Sequence, residues 1–411
     1  MNTVDKVSFL DPEVQRCPFA AYRAVRQQGP VYLDESSGYY IVTGYDEVRK
    51  WAANTTDLSN VTGLLLSFDS MPWQQRINDI YESEGVLPMN TLTVSDPPLH
   101  TFHRSLVDKA FTASRVRQME DYLQSIIDGM VDEIVGKGEC DFYAEFAARV
   151  PILVIASQLG VELDDIDWFK ECSDAVIAES NPSNDEETQV AITKKIAQLQ
   201  SFIMRKIEEF QKQPADCLLS DLVHAEDNGR RMSMREMVSI ILILLVAGND
   251  STALAMTSAM HRMIEHGLED ELRADPGKVP NFIEEVLRLE APVQGLYRRA
   301  LNDITIAGTE IPKGSIVVMR FGAANRDPAQ FADPDELDAR RSNARNHLAF
   351  GAGPHFCLGN QLSRGELRIA LNTLLRRMKN FRFADGEDSA TYMSHFLVYG
   401  PVSLRIAYDP A

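Results

Sequence analysis

The segment from Met234 to His266 limits the folds open to this chain more than any other, because its 33 residues read as one helix. Ser233 and Glu236 form a capping box at its start, and Gly267 suits the left-handed position after its end. At 1.5 Å per residue such a helix spans about 50 Å and must cross the whole molecule. Its first half is apolar on every face, which means burial. Yet Gly248, Asn249, Asp250, Ser251 and Thr252 interrupt the middle, each weakening a helix by up to about 1 kcal/mol. Either this is a packing glycine with polar side chains facing a water pocket, or the break serves chemistry.

Around that helix the chain reads as mainly α with a small, mostly antiparallel β region. Helical spacing of apolar residues runs over 102–135, 151–180 and 189–213. Strand signals lie at 31–43, where Ser36, Ser37 and Gly38 make a hairpin turn, at 303–320 and at 392–407. No repeat or Gly/Ser linker divides the chain, so one domain over 1–411 is the expectation. With 41 Lys+Arg against 60 Asp+Glu, a net charge of −19 excludes a nucleic-acid binder and disfavours anionic membranes. Cys17, Cys140, Cys172, Cys217 and Cys357 show no CxxC spacing, which indicates a reducing compartment. The N-terminus has no apolar leader, and the longest apolar run, 240–247, is short of the roughly 20 residues of a membrane span. A soluble, cytoplasmic monomer is expected.

The most informative stretch is HLAFGAGPHFCLGNQLSRGELRIALNTLLRRM, from His347 to Met378. Cys357 stands just ahead of an amphipathic helix, whose unpaired N–H groups and positive dipole end favour thiolate over thiol. A thiolate in an apolar loop is a nucleophile or a metal ligand. Gly351, Gly353 and Gly359 would let backbone approach a large flat object, Phe350 offers an aromatic face and His355 a donor. Singly, each has a duller explanation as a turn or core residue. Together, the six identities of Phe-Gly-x-Gly-x-His-x-Cys-x-Gly arise by chance in about one chain per million of this length.

FGAGPHFCLG resembles the haem-binding loop of the cytochrome P450 superfamily, bacterial soluble type, in which the cysteine thiolate is the proximal ligand of haem iron. AGNDST at 247–252 resembles the family's oxygen-activation motif, and Glu285-Val-Leu-Arg288 its ExxR motif, completed by Arg341 or the adjacent Arg340. DPPLHTFHR at 96–104 matches the segment whose His100 and Arg104 hold a haem propionate, and Arg298 matches a further propionate arginine. The resemblance implies the P450 fold, with haem b buried between the long central helix and the cysteine-loop helix. Its cofactor contacts are then His100, Arg104, Gly248, Arg298, Phe350, His355, Cys357 and Gly359, with Cys357 on the metal. Haem carboxylates are costly to bury without such partners, and charge-assisted bonds are the stronger kind.

The activity implied is monooxygenation: one atom of O2 enters a C–H bond of a small hydrophobic substrate, the other leaves as water. Asp250 with Ser251 or Thr252 forms the proton relay; the family commonly has threonine directly after the acid, where this chain has serine, so the hydroxyl that serves stays open. Electrons are expected from an acidic [2Fe-2S] ferredoxin, or a flavodoxin, docking on the cysteine side of the haem. Eight basic residues there, Arg340, Arg341, Arg345, Arg364, Arg368, Arg376, Arg377 and Lys379, face Glu366 alone, a local balance of +7. Apolar candidates for the substrate pocket are Leu64, Leu65, Leu66, Phe68, Met71, Trp73, segment 171–190, Val293 to Leu296 and Phe396 to Val398. They admit a terpenoid, steroid, fatty or aromatic compound. The rival readings are a peroxide-driven haem-thiolate peroxygenase, a haem sensor without turnover, and a cysteine nucleophile with His355 as base.

Overall fold

The computed structural model of the chain describes residues 6–62, 73–162, 165–179, 184–386 and 388–411. Of the pocket candidates, Leu64, Leu65, Leu66, Phe68 and Met71 lie outside the described residues. Helices that bear on the site are α1 (Tyr45–Ala52), α2 (Gln74–Glu84), α3 (Leu99–Ala110), α4 (Glu120–Ile134), α5 (Ile166–Ala178), α6 (Glu186–Lys212), α7 (Met234–Glu265), α8 (Val279–Leu289) and α9 (Asn360–Arg377). The main strands are β1 (Val31–Asp34), β2 (Tyr39–Val42), β3 (Leu58–Ser59), β4 (Glu139–Asp141), β5 (Leu296–Ala300), β6 (Ile316–Met319), β7 (Met378–Phe383) and β8 (Arg405–Pro410). Mainly helical with a small sheet region is thus the observed class.

Two compact units make up the chain: Met1–Ser59, Val116–Val150 and Asp250–Ala411 form the first, Asn60–Arg115 and Pro151–Asn249 the second. Among the described residues every named strand belongs to the first unit. Its largest sheet has the order β1-β2-β6-β5-β3, antiparallel except where Tyr40 to Val42 of β2 run parallel to Val317 to Met319 of β6. Alternating apolar residues from this sheet, Val31, Val42, Leu58, Val317 and Met319, meet Tyr45, Val48 and Trp51 of α1 in one core. Leu348 belongs to the same core, which pins the chain just ahead of the cysteine loop. A second sheet, β4-β8-β7, closes on the chain's last strand. Strands 58–59, 139–141, 296–300 and 378–383 escape the sequence pattern because they are short or, as in MKNFRF, carry polar residues at half their positions.

The second unit is helical. Here the helical spacing over 151–180 is interrupted at Gly160, which sits at φ +73° while Val161 N–H reaches back to the Ala156 carbonyl at 3.0 Å, a helix end that favours glycine. The 102–135 segment likewise divides, into 99–110, 113–118 and 120–134, with the Thr112 hydroxyl accepting the Arg115 N–H at 3.2 Å.

α7 fulfils its caps. Ser233 N–H donates to Glu236 Oε2 at 2.8 Å while Glu236 N–H donates to Ser233 Oγ at 3.2 Å, the reciprocal capping box. At the other end Gly267 takes φ +59° and Leu268 N–H reaches the Met263 carbonyl at 3.0 Å. By length and composition α7 could cross a membrane, with mean hydropathy 1.8 over its most apolar stretch, which the longest uninterrupted run does not reveal. That stretch is 61% buried inside the protein, as a core helix would be.

Candidate functional site

The cysteine loop is a short 3-10 turn, Gly353–His355, between Phe350 and α9. Cys357 N–H donates to the Phe350 carbonyl at 2.8 Å and Phe356 N–H to Gly353 at 3.0 Å, which folds the loop back on itself. Gly353 takes φ +72° and its Cβ position lies 2.5 Å from Ala53 Cα. Tight packing beside α1, rather than approach to a flat ligand, therefore demands this glycine. Gly359 differs: nothing stands within 4 Å of its Cβ position, so space is open beside the backbone two residues after the sulfur. His355 and Cys357 are half-buried. Burial pushes the Cys140 thiol up to about 12 and Cys172 to about 11, and raises Cys217, so these stay protonated and inert.

Two carboxylates of α8, adjacent in sequence, serve different networks: Glu285 bonds Arg288 and Arg341, and Glu284 bonds residues on either side of the loop. Glu285 is fully buried and receives Arg288 Nε at 2.7 Å, Arg288 Nη2 at 2.8 Å, Arg341 Nε at 3.0 Å and the Asp338 N–H at 3.0 Å. Arg341 is thus the partner, since Arg340 is turned outward to Glu271 at 2.9 Å. Glu284 was not singled out by sequence. It takes Arg364 through Nε at 2.6 Å and Nη2 at 2.9 Å, and His347 Nε2 at 3.1 Å. Burial alone would raise its pKa, but the His347 and Arg364 bonds hold it at about 2.

The polar break in α7 resolves residue by residue. Asn249 is buried and donates through Nδ2 to Ser173 Oγ of α5 at 2.9 Å. Thr252 is buried and its hydroxyl meets Ser363 Oγ of α9 at 3.4 Å. Asp250 and Ser251 are half-buried. Val246 is 40% exposed and Ala247 and Gly248 beside it are exposed as well, and Gly248 has nothing within 4 Å of its Cβ position. One turn after Ser363 on α9 lies Glu366, buried, with Oε2 lacking a hydrogen-bond partner among the described residues. Burial pushes its pKa up to about 8. In the charge tally it counts only as the one acid of the tract; its place on the apolar face of α9 is the signal of its burial.

Arg298, on β5, is buried and donates through Nη1 to the Tyr297 carbonyl at 2.8 Å. In the second unit His100 and Arg104 stand one turn apart on α3. His100 is buried, and desolvation with the neighbouring Arg104 charge lowers its pKa to about 4; Arg104 Nη2 lies 2.8 Å from Asp108 Oδ1.

The basic tract does not stand as the +7 tally suggests. Arg341 and Arg364 serve α8, while Arg368, Arg376 and Arg377 meet Glu120, Asp128 and Asp132 of α4 at 2.8, 3.2 and 2.6 Å. A sequence window omits acids that pack in from another helix. Arg345 remains 70% exposed, 3.9 Å from its closest carboxylate, and Lys379 is exposed.

A half-buried cysteine ahead of a helix, a loop tied to Glu284 at its entry and its exit, and a long helix broken by acid and hydroxyl are the features a thiolate-ligated cofactor would need. Comparisons with known proteins agree. The cytochrome P450 family profile matches residues 279–400. The chain is 32% identical over 392 residues to the steroid C26-monooxygenase of Mycolicibacterium smegmatis, covering 95% of this chain and 92% of that one. Cytochrome P450 CYP109Q5 from Chondromyces apiculatus superposes with TM-score 0.87 at 29% identity over 100% of both chains. CYP109E1 from Bacillus megaterium, in complex with testosterone, superposes with TM-score 0.82 at 29% identity over 95% of this chain and 99% of that one. This chain belongs to the cytochrome P450 monooxygenase family. The family is haem-dependent, and the residues of the first unit fit a haem: a thiol just ahead of a helix N-terminus, the buried Arg298 guanidinium and open space beside Gly359.

Proposed function

We propose that the whole chain works as a single cytoplasmic P450 domain in which Cys357 holds haem b. Its reaction takes a hydrophobic substrate RH, O2, two electrons and two protons to ROH and water. The observation that carries this is the Cys357 loop, half-buried at the head of α9 and fixed through both flanking segments. When bound, the haem supplies the oxygen-activating chemistry, with the anionic sulfur favouring O–O cleavage. His100, Arg104, Arg298 and His355 would be the donors for its propionates, Phe350 would offer an aromatic face, and Gly248 and Gly359 would leave backbone open to it.

Asp250 and Ser251 move the protons. Ser251, the hydroxyl directly after the acid, is assigned to the relay with Thr252 in support, taking protons from the Asp250 carboxyl and passing them on through an ordered water. Ser251→Ala is expected to leave reductant consumption within about twofold of wild type. Product per NADH should fall about tenfold or more, the balance leaving as hydrogen peroxide. Equal coupling in variant and wild type excludes the assignment.

Electrons come from an acidic [2Fe-2S] ferredoxin or a flavodoxin, steered by Arg345 and Lys379 once the paired arginines are set aside. The substrate is a hydrophobic small molecule, and steroids are the first class to test because a 32%-identical relative is a steroid C26-monooxygenase and a solved relative holds testosterone. A panel of steroids, terpenoids, fatty acids and small aromatics, scored by the low-to-high-spin shift and then by product, tests this. Reduced, CO-bound protein should show the long-wavelength Soret band of thiolate ligation. Its absence refutes the Cys357 assignment, and a spin shift confined to non-steroids refutes the substrate class.

A further inference from the structure

The loop that carries Cys357 hangs on one guanidinium. Arg364 is gripped in a two-pronged bond by Glu284 and uses its third nitrogen, Nη1, to donate to Asn360 Oδ1 at 3.0 Å. That contact fixes which way the Asn360 amide points, so Nδ2 donates to the Cys357 carbonyl at 2.7 Å. The same guanidinium lies over the Phe350 ring, 4.4 Å from its centre, and the Phe350 carbonyl accepts the Cys357 N–H at 2.8 Å. Both peptide groups of Cys357 therefore lead back to Arg364, one through an amide and one through a ring.

His347 completes the arrangement. Its Nδ1 accepts the Ala349 N–H at 3.1 Å, so the proton sits on Nε2 and is donated to Glu284 Oε2. The imidazole is 5.6 Å from the Phe350 ring. Glu284 thus ties the entry of the loop through His347 and its exit through Arg364.

We infer that Glu284, acting through Arg364 and Asn360, is a positioning residue that holds the Cys357 sulfur in place as iron ligand, a role separate from the Glu285–Arg288–Arg341 network next to it. The inference rests on the reading of Cys357 as the haem ligand. A lysine at 364 keeps the charge but cannot make the fork or lie flat on the ring. Loss of groups that orient a metal ligand typically costs about 10–100-fold.

The test follows, on haem-loaded protein, the rate at which the reduced, CO-bound form passes from the long-wavelength thiolate band to the short-wavelength band. In that step the sulfur takes a proton from solvent and leaves the iron. Glu284→Gln and Arg364→Lys are expected to speed this conversion by about 10–100-fold. Glu284→Asp should recover part of the loss, and Arg368→Lys, on the same helix but paired with Glu120, should convert at the wild-type rate. Asn360→Ala removes only the carbonyl anchor and should convert several-fold faster, which decides the matter if Glu284→Gln fails to load haem. Wild-type conversion rates in Arg364→Lys and Asn360→Ala, with the thiolate band present, overturn this inference while leaving the Cys357 assignment intact. Absence of the thiolate band in the unmodified protein overturns both.

Discussion

Replacing Arg288 with alanine is expected to cost at least about 3–5 kcal/mol, enough that little haem-loaded protein is recovered. Arg288 is fully buried and answers the Glu285 carboxylate with two bonds. It also donates to the carbonyls of Asn325 at 2.9 Å, Pro334 at 2.7 Å and Glu336 at 3.1 Å. Its removal leaves the buried Asn325 carbonyl and the part-buried Pro334 carbonyl short of a donor, while Glu336 keeps Arg341 Nη2 at 3.3 Å, and it halves the cationic partners of a buried anion; each unsatisfied buried group costs about 1–3 kcal/mol. Lysine cannot substitute, since a single ammonium does not reach these acceptors at once. Arg341→Ala should follow the same course, because Arg341 bonds both oxygens of Glu285. Arg340→Ala should leave the thermal midpoint close to that of the unmodified protein, its bond to Glu271 being a surface contact. Thermal midpoints and the yield of CO-binding protein measure all three. Equal costs at 340 and 341, or a wild-type midpoint for Arg288→Ala, contradict the network.

The long helix and the cysteine loop were legible because each depends on local rules. The capping box, the αL glycine and the polar break are all spelled within a few residues of where they act. The same holds for Phe350 to Gly359, whose spacing is the loop. What could not be read is whatever one element supplies to another. Glu284 looks like any helix-surface acid until His347 and Arg364 close on it from 63 and 80 residues away. The +7 tally of the basic tract misses Glu120, Asp128 and Asp132 because they lie 245–248 residues earlier in the chain. Gly353 was read as a place for cofactor approach, whereas Ala53 occupies that space.

Glu366→Gln is expected to abolish most of a stability loss that the natural protein suffers as pH rises. Burial holds the Glu366 carboxyl at about 8 in the folded chain against an ordinary 4.5 when unfolded. The sign follows from proton counting. Between these values the folded state keeps the proton and the unfolded state has released it, so stability is full below about 4.5, declines through the interval and levels off above 8. At 1.36 kcal/mol per unit, the decline from pH 5 to pH 8 is on the order of 4 kcal/mol, or roughly 5 °C in the thermal midpoint of a chain this size. Glutamine has the same shape and does not ionise, so the variant's midpoint should overtake that of the natural protein as pH rises. Below pH 5 the order should reverse or vanish, because the amide brings a second N–H into a site that already leaves Oε2 unbonded. Other groups move the absolute curves. Glu179 is raised to about 7 by burial and gives a parallel decline, while burial lowers His100 to about 4 and depresses His103, His347 and His395, so these destabilise on the acid side. They are common to both proteins and cancel in the difference between the two curves. Haem-loaded protein scanned from pH 5 to pH 9 therefore isolates Glu366. A difference that stays constant across the range would mean the carboxylate is ionised in the folded state, and that a donor reaches Oε2 which the described side chains do not supply.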